Sequence, residues 1–281
     1  MKRDAAPTRA PESVPLPRIS RWLFRWFAKY AERYLRRHVH AVRVSRSGPP
    51  PALGDRSAVL YLNHPSWWDP LVGLFLATRF WPERAHYAAI DAAALQRYRF
   101  FERIGFFGIE PGSVRGARRL LSIGQGVLAA DHAMLWITAQ GEFADCRARP
   151  LELRRGLSHV AARAARGLIV PLAIEYTFWQ ERFPEVLVRF GEPIDLEAES
   201  AVGRLARDAE QWQALLAVRL EATQDALARE AIARRAADFT TLLSGRAGVG
   251  GVYQHWLKVR SRWRGETFRP EHGDEDASRE P

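Results

Sequence analysis

Ala58-Val59-Leu60-Tyr61-Leu62-Asn63-His64-Pro65-Ser66-Trp67-Trp68-Asp69-Pro70 begins as a short apolar run, β-branched or aromatic in part, and then breaks. Five such residues suit a buried strand. Pro65 and Pro70 suit first helical turns, where a missing N–H costs nothing. His64 is therefore placed at a strand-to-helix corner, with Asp69 about one helical turn further on and able to fold back to the ring. A carboxylate on one imidazole nitrogen fixes the tautomer and leaves the other nitrogen free to take a proton from a hydroxyl.

Outward from this corner, strands and helices alternate. Strands are expected at 41–45, 59–62, 87–90, 107–110, 134–138, 169–174 and 186–190, and helices at 71–78, 92–104, 114–129 and 156–166. This alternation predicts an α/β fold: a mostly parallel or mixed sheet flanked by helices, with an N-terminal amphipathic helix and a C-terminal helical extension. Reactive loops of such a sheet gather at one end of its strands.

Spacing alone does not single out His64. The chain has eight histidines, and His86 and Asp91 repeat the same H-x-x-x-x-D register. His86 heads a half-buried strand and is expected to be merely structural.

The block Asn63-His64-x-x-x-x-Asp69 after an apolar strand resembles the first motif of the glycerolipid acyltransferases, the 1-acylglycerol-3-phosphate acyltransferases and their relatives. Gly105-Phe106-Phe107-Gly108-Ile109-Glu110-Pro111-Gly112-Ser113-Val114-Arg115 is similar to the second motif, with its basic residues for the acceptor, and Val170-Pro171-Leu172-Ala173-Ile174 to the fourth. The third, Pro-Glu-Gly-Thr-Arg in that family, is here Ala139-Gln140-Gly141-Glu142-Phe143, keeping only the glycine in place. The likeness covers roughly residues 56–195. It implies transfer of an acyl group to a lipid hydroxyl in phospholipid biosynthesis, with His64 as general base and Asp69 as its orienter. It also implies acceptor contacts from Asn63, Arg115, Gln140, Gly141 and Glu142, with Arg147 or Arg149 in place of the missing arginine. Acyl-CoA or acyl carrier protein is the implied co-substrate, with no cofactor and no metal. The acceptor is expected to be a lysophospholipid-type or glycosylated lipid. Gln140 and Phe143 shift the expectation toward an unphosphorylated hydroxyl, because glutamine both donates and accepts and phenylalanine is a poor partner for phosphate.

Composition is compatible with this. Lys plus Arg number 42 against 32 Asp plus Glu, a formal charge of +10 that favours an anionic partner. No nucleic-acid motif accompanies the charge, and the arginines follow helix faces, so an anionic membrane surface is expected rather than nucleic acid. The single cysteine, Cys146, excludes an internal disulfide and suits a reducing compartment. With no stretch near the ~20 apolar residues of a spanning helix, the protein is expected in the cytoplasm, peripheral on the inner face of the cell membrane. A noncatalytic lipid-binding relative is the alternative reading.

Five segments follow: a disordered tail at 1–17, a membrane-interface helix at 18–40, the acyltransferase α/β domain at 41–198, a helical extension at 199–244, and a linker, short basic helix and polar tail at 245–281. In the second, Ile19, Trp22, Leu23, Trp26, Phe27, Tyr30 and Tyr34 recur at helical spacing and are expected to form one face, which either lies in a membrane interface or covers one end of the sheet.

Overall fold

The computed structural model describes residues 16–201 and 208–248, together with Arg260 and Trp263. Most of the tail at 1–17, and the basic helix and polar tail expected after 248, lie outside the described residues.

The elements run α1 (Arg21–His38), β1 (Ala41–Ser45), β2 (Ala58–Leu62), α2 (Asp69–Phe80), β3 (Ala85–Asp91), α3 (Ala92–Arg97), β4 (Phe106–Ile109), α4 (Val114–Ala129), β5 (Ala133–Thr138), α5 (Gly156–Ala161), β6 (Leu168–Thr177), β7 (Glu185–Phe190), β8 (Ile194–Asp195), α6 (Leu196–Ala201), α7 (Ala209–Ala233) and β9 (Phe239–Ser244). Their strands form one nine-stranded sheet in the order β4-β3-β5-β2-β6-β7-β1-β9, with β8 beside β6. β2 pairs parallel with both β5 and β6, and all five of its residues are buried, as befits a parallel strand covered on both faces. Its alternate residues feed two cores. Ala58, Leu60 and Leu62 face α1 and α2, whereas Val59 and Tyr61 face α4, α5 and α7. The mixed α/β sheet flanked by helices is therefore the architecture, and β2, β3, β4, β5 and β6 all end at one edge of it.

Several expectations are corrected. The extension at 199–244 is not helical throughout: α7 stops at Arg234, a left-handed residue with φ 53°, and Phe239–Ser244 pairs antiparallel with β1. Its Phe-Thr-Thr-Leu-Leu run has the β-branched and apolar content of a strand. The glycine stretch is tied down where it starts, because the Gly245 and Arg246 amides donate to the carbonyls of His40 and Val39 at 2.7 and 3.0 Å. The helix expected over 92–104 breaks at Tyr98 (φ −127°, ψ 61°) and continues as a 3-10 turn over Arg99–Ile104, and the one over 156–166 ends at Ala161.

α1 is amphipathic, but its faces differ from the single stripe expected. Phe24, Ala28, Ala31 and Leu35 are its buried residues, and the two alanines permit close approach to α2. Leu23 and Phe27 flank that contact, whereas Trp22, Trp26 and Tyr30 remain 73%, 55% and 48% exposed.

Candidate active site

The corner after β2 is held by Asn63. Its amide donates to the Ile174 carbonyl at 2.9 Å and accepts from the Ile174 amide at 2.9 Å, pinning the end of β2 to β6. One residue on, the His64 amide donates to Gln140 Oε1 at 3.0 Å, and the His64 carbonyl accepts from the Ala144 amide at 3.0 Å. The backbone on both sides of the base is thus fixed by β6 and by the loop after β5.

His64 Nδ1 lies 2.6 Å from Asp69 Oδ2. Asp69 is the first residue of α2 and only 1% exposed. Its burial is compensated by two further donors: the Ser66 amide reaches Oδ2 at 3.1 Å, and the Tyr176 hydroxyl reaches Oδ1 at 2.7 Å. Burial, reinforced by the adjacent carboxylate, raises the Tyr176 phenol well above its ordinary pKa and keeps it a donor. The relay Tyr176–Asp69–His64 holds the imidazole with Nδ1 occupied and, among the described residues, Nε2 without a partner. The Phe143 ring packs on the imidazole at 4.3 Å between centroids.

Beside this relay a slot of about 80 Å³ opens between α2 and the sheet. Asp69, Thr138, Gly73, Leu74, Trp136, Phe24 and His86 are among the residues that line it.

The expected acceptor residues separate. Gln140, Gly141 and Glu142 do form the loop beside His64, and Gln140 is buried. Gly141 adopts φ 70°, a left-handed conformation that suits glycine, and an added Cβ would meet Arg154 Cγ at 2.8 Å. Arg115 is not brought to the base. It is exposed near the start of α4, 3.9 Å from Glu110, and β4 lies three strands from β2, or ~14 Å at ~4.8 Å per strand. Arg149 is drawn to Asp225 and Glu221 on α7, and Arg147 to Asp145, so neither replaces the missing arginine at the base. The residue at that loop is Arg154, unforeseen from the sequence. Its Nε donates to the Gln140 carbonyl at 3.3 Å and its Nη2 lies 3.6 Å from Glu142. Burial raises the Cys146 thiol pKa, which leaves it a poor nucleophile at neutral pH.

His86 proves structural, though more deeply buried than expected. Its Nε2 lies 2.8 Å from the Trp81 carbonyl, its Nδ1 accepts from Trp136 Nε1 at 3.2 Å, and its ring stacks on Phe24. Asp91, its register partner, instead caps α3 through the Ala93 and Ala94 amides. Burial pushes the His86 pKa down to about 4, the nearby Arg84 charge adding to the effect. Because the unfolded histidine binds a proton that the folded one refuses, stability is fully present above about pH 6.5 and declines as pH falls toward 4. At ~1.4 kcal/mol per unit the loss approaches about 3 kcal/mol. Urea unfolding across that range should show it, and His86→Gln should flatten the profile; equal slopes in both proteins would assign the loss to another group.

No protein-family model matches the chain, and no curated protein matches its sequence. The dyad therefore stands on its own geometry.

Proposed function

We propose that this chain is an acyltransferase that moves a fatty acyl group from a thioester donor, acyl-CoA or acyl carrier protein, to a lipid hydroxyl. The observation that carries this reading is the Tyr176–Asp69–His64 relay, centred on a buried carboxylate, at one end of an apolar slot. His64 Nε2 accepts the hydroxyl proton as its oxygen attacks the thioester carbon, and Asp69 stabilises the imidazolium that forms. Collapse of the tetrahedral intermediate breaks the C–S bond, and the proton passes from His64 to the departing sulfur. An acyl-enzyme is unnecessary, because the thioester is already activated. The Glu142 and Phe143 amides, which have no hydrogen-bond partner among the described residues, are the candidate donors to the oxyanion. The slot offers the chain an apolar wall of Leu74, Ala77, Ile104 and Trp136. The test is release of free CoA thiol from palmitoyl-CoA by the purified protein, dependent on added lipid acceptor. Absence of acceptor-dependent release across hydroxylated lipids, with carrier-protein thioesters tried alongside, would leave a lipid-binding protein instead.

No helix among the described residues is long and apolar enough to cross a membrane. The exposed Trp22, Trp26 and Tyr30 on α1, with Arg21, Arg25 and Lys29 among them, suit the headgroup layer of an anionic bilayer. Trp22→Ala with Trp26→Ala should weaken binding to phosphatidylglycerol vesicles by roughly tenfold or more, since two rings forfeit apolar burial. Added salt should weaken the remainder, and the melting temperature should hold because both side chains are largely exposed. Unchanged vesicle binding would remove α1 from the interface.

A further inference from the structure

A second concavity, open to solvent and of about 570 Å³, runs over the end of β6 and is reached directly from the base, since Pro65 and Ser66 line it. Tyr176, which holds Asp69, lines it as well. The opposite bank is the segment after Ala144, whose amide is bonded to the His64 carbonyl. Its walls combine aromatic rings with charge. Trp67 and Phe178 are 58% and 60% exposed, and Trp68 stands behind Trp67 at 6.3 Å between centroids.

The charges are Asp145, Arg147 and Glu175. Arg147 is already engaged: its Nε and Nη2 donate to the two oxygens of Asp145 at 2.9 and 2.7 Å, and its backbone amide adds a third bond to Oδ1 at 2.9 Å. Glu175 is half-buried in β6, and its side chain makes no hydrogen bond or ion pair among the described residues. A protein with a formal charge of +10 thus presents, beside its base, a groove with two carboxylates and one neutralised guanidinium.

Such a groove repels a phosphate monoester. The dianion would approach two carboxylates, and the only cation would have to abandon a bidentate partner to receive it. It accepts hydroxyl donors instead. Carboxylates take two O–H bonds readily, and flat aromatic walls cover the C–H faces of a sugar or glycerol unit. We propose that this groove is the acceptor subsite and that it holds an unphosphorylated, polyhydroxylated headgroup, with Glu175 receiving hydroxyls and Trp67 and Phe178 forming the platform. The word acceptor rests on the acyltransferase reading; the ligand class rests on the groove alone.

The test is binding without turnover, in protein carrying His64→Ala, followed by intrinsic tryptophan fluorescence with hexyl glucoside, hexyl phosphate and hexylammonium as probes. Hexyl glucoside is expected to bind at least about tenfold more tightly than hexyl phosphate, and Glu175→Ala or Trp67→Ala should each weaken it about fivefold to tenfold, the loss of one good polar or aromatic contact. Both side chains are at least partly exposed, so circular dichroism and melting temperature should hold in both variants. Hexyl phosphate binding that matches the glucoside and disappears on Arg147→Ala would overturn the proposal in favour of an anionic acceptor. Tighter binding of hexylammonium would overturn it in favour of a cationic one, and indifference of the glucoside to both variants would remove it from the groove. Selective glucoside binding in a protein that transfers no acyl group from any thioester would sink the acyltransferase reading while leaving this ligand class standing.

Discussion

His64→Ala should reduce acyl transfer by ~10²–10⁴-fold, the usual worth of a positioned general base, while the protein stays folded. Survival of the fold follows from what the substitution leaves behind. Asp69 is buried, and an unpaired buried carboxylate would be costly, but it keeps the Ser66 amide at 3.1 Å and the Tyr176 hydroxyl at 2.7 Å. The lost hydrogen bond and the imidazole contact with the exposed Phe143 amount to about 1–2 kcal/mol. Activity and stability therefore separate at this position. At His86 they move together: His86→Ala removes the partner of both the Trp81 carbonyl and the Trp136 indole in a buried site, so a lower unfolding midpoint accompanies whatever activity is lost. The decisive measurements are kcat for thiol release and the urea midpoint, made on both variants. A His64→Ala enzyme with near-normal kcat would place the base elsewhere.

The dyad was legible because its chemistry is local. His64 and Asp69 are five residues apart across a single turn, so strand content, proline placement and side-chain type suffice to bring them together. Tyr176 was not legible, although it completes the same relay. It arrives from 107 residues away through the pairing of β2 with β6, whose register, extended by the reciprocal Asn63–Ile174 bonds, sets which β6 residue overhangs Asp69. A sequence with seven tyrosines offers no local signal for that choice. Arg154 is missing from the motif for a related reason: the loop carrying it returns to Gly141 by a path that spacing does not encode, whereas Arg147 and Arg149, nearer in sequence, are captured by Asp145 and by α7. In α1 the helical period identified apolar positions but could not say which of them dock. The alternation of Phe24, Ala28, Ala31 and Leu35 was the buried seam, and the larger tryptophans, which dominate any hydrophobic count, lie outside it. The α/β sheet followed from alternation alone, yet its last strand, β9, did not, because a strand that returns to pair with β1 after a 25-residue helix is defined by a partner about 200 residues earlier.

Asp69→Asn should cost ~10²–10⁴-fold in kcat, comparable with loss of the base, and the form of the loss follows from the asymmetry of its contacts. Oδ2 receives two N–H donors, from His64 and Ser66, neither of which can turn into an acceptor while the imidazole keeps this tautomer. Oδ1 receives only the Tyr176 hydroxyl, which can rotate and accept instead. An asparagine therefore settles with its oxygen toward His64 and Ser66 and its amino group toward Tyr176. The imidazole keeps its orientation and its free Nε2; what disappears is the negative charge that stabilises the imidazolium as the proton arrives. Two consequences distinguish this from general damage. KM for acceptor should change little, since asparagine matches aspartate in shape and leaves the walls of groove and slot in place, so the loss falls on kcat. Tyr176→Phe alone should reduce kcat modestly, about tenfold or less, by leaving one oxygen of a charged Asp69 short of a donor; in the Asp69→Asn background it should have a different and smaller effect, because there Tyr176 has become the acceptor. A double-mutant cycle on kcat measures that coupling. Strict additivity of the two substitutions would mean that Tyr176 does not act through Asp69, and an Asp69→Asn protein with normal kcat would mean that the carboxylate only positions the ring.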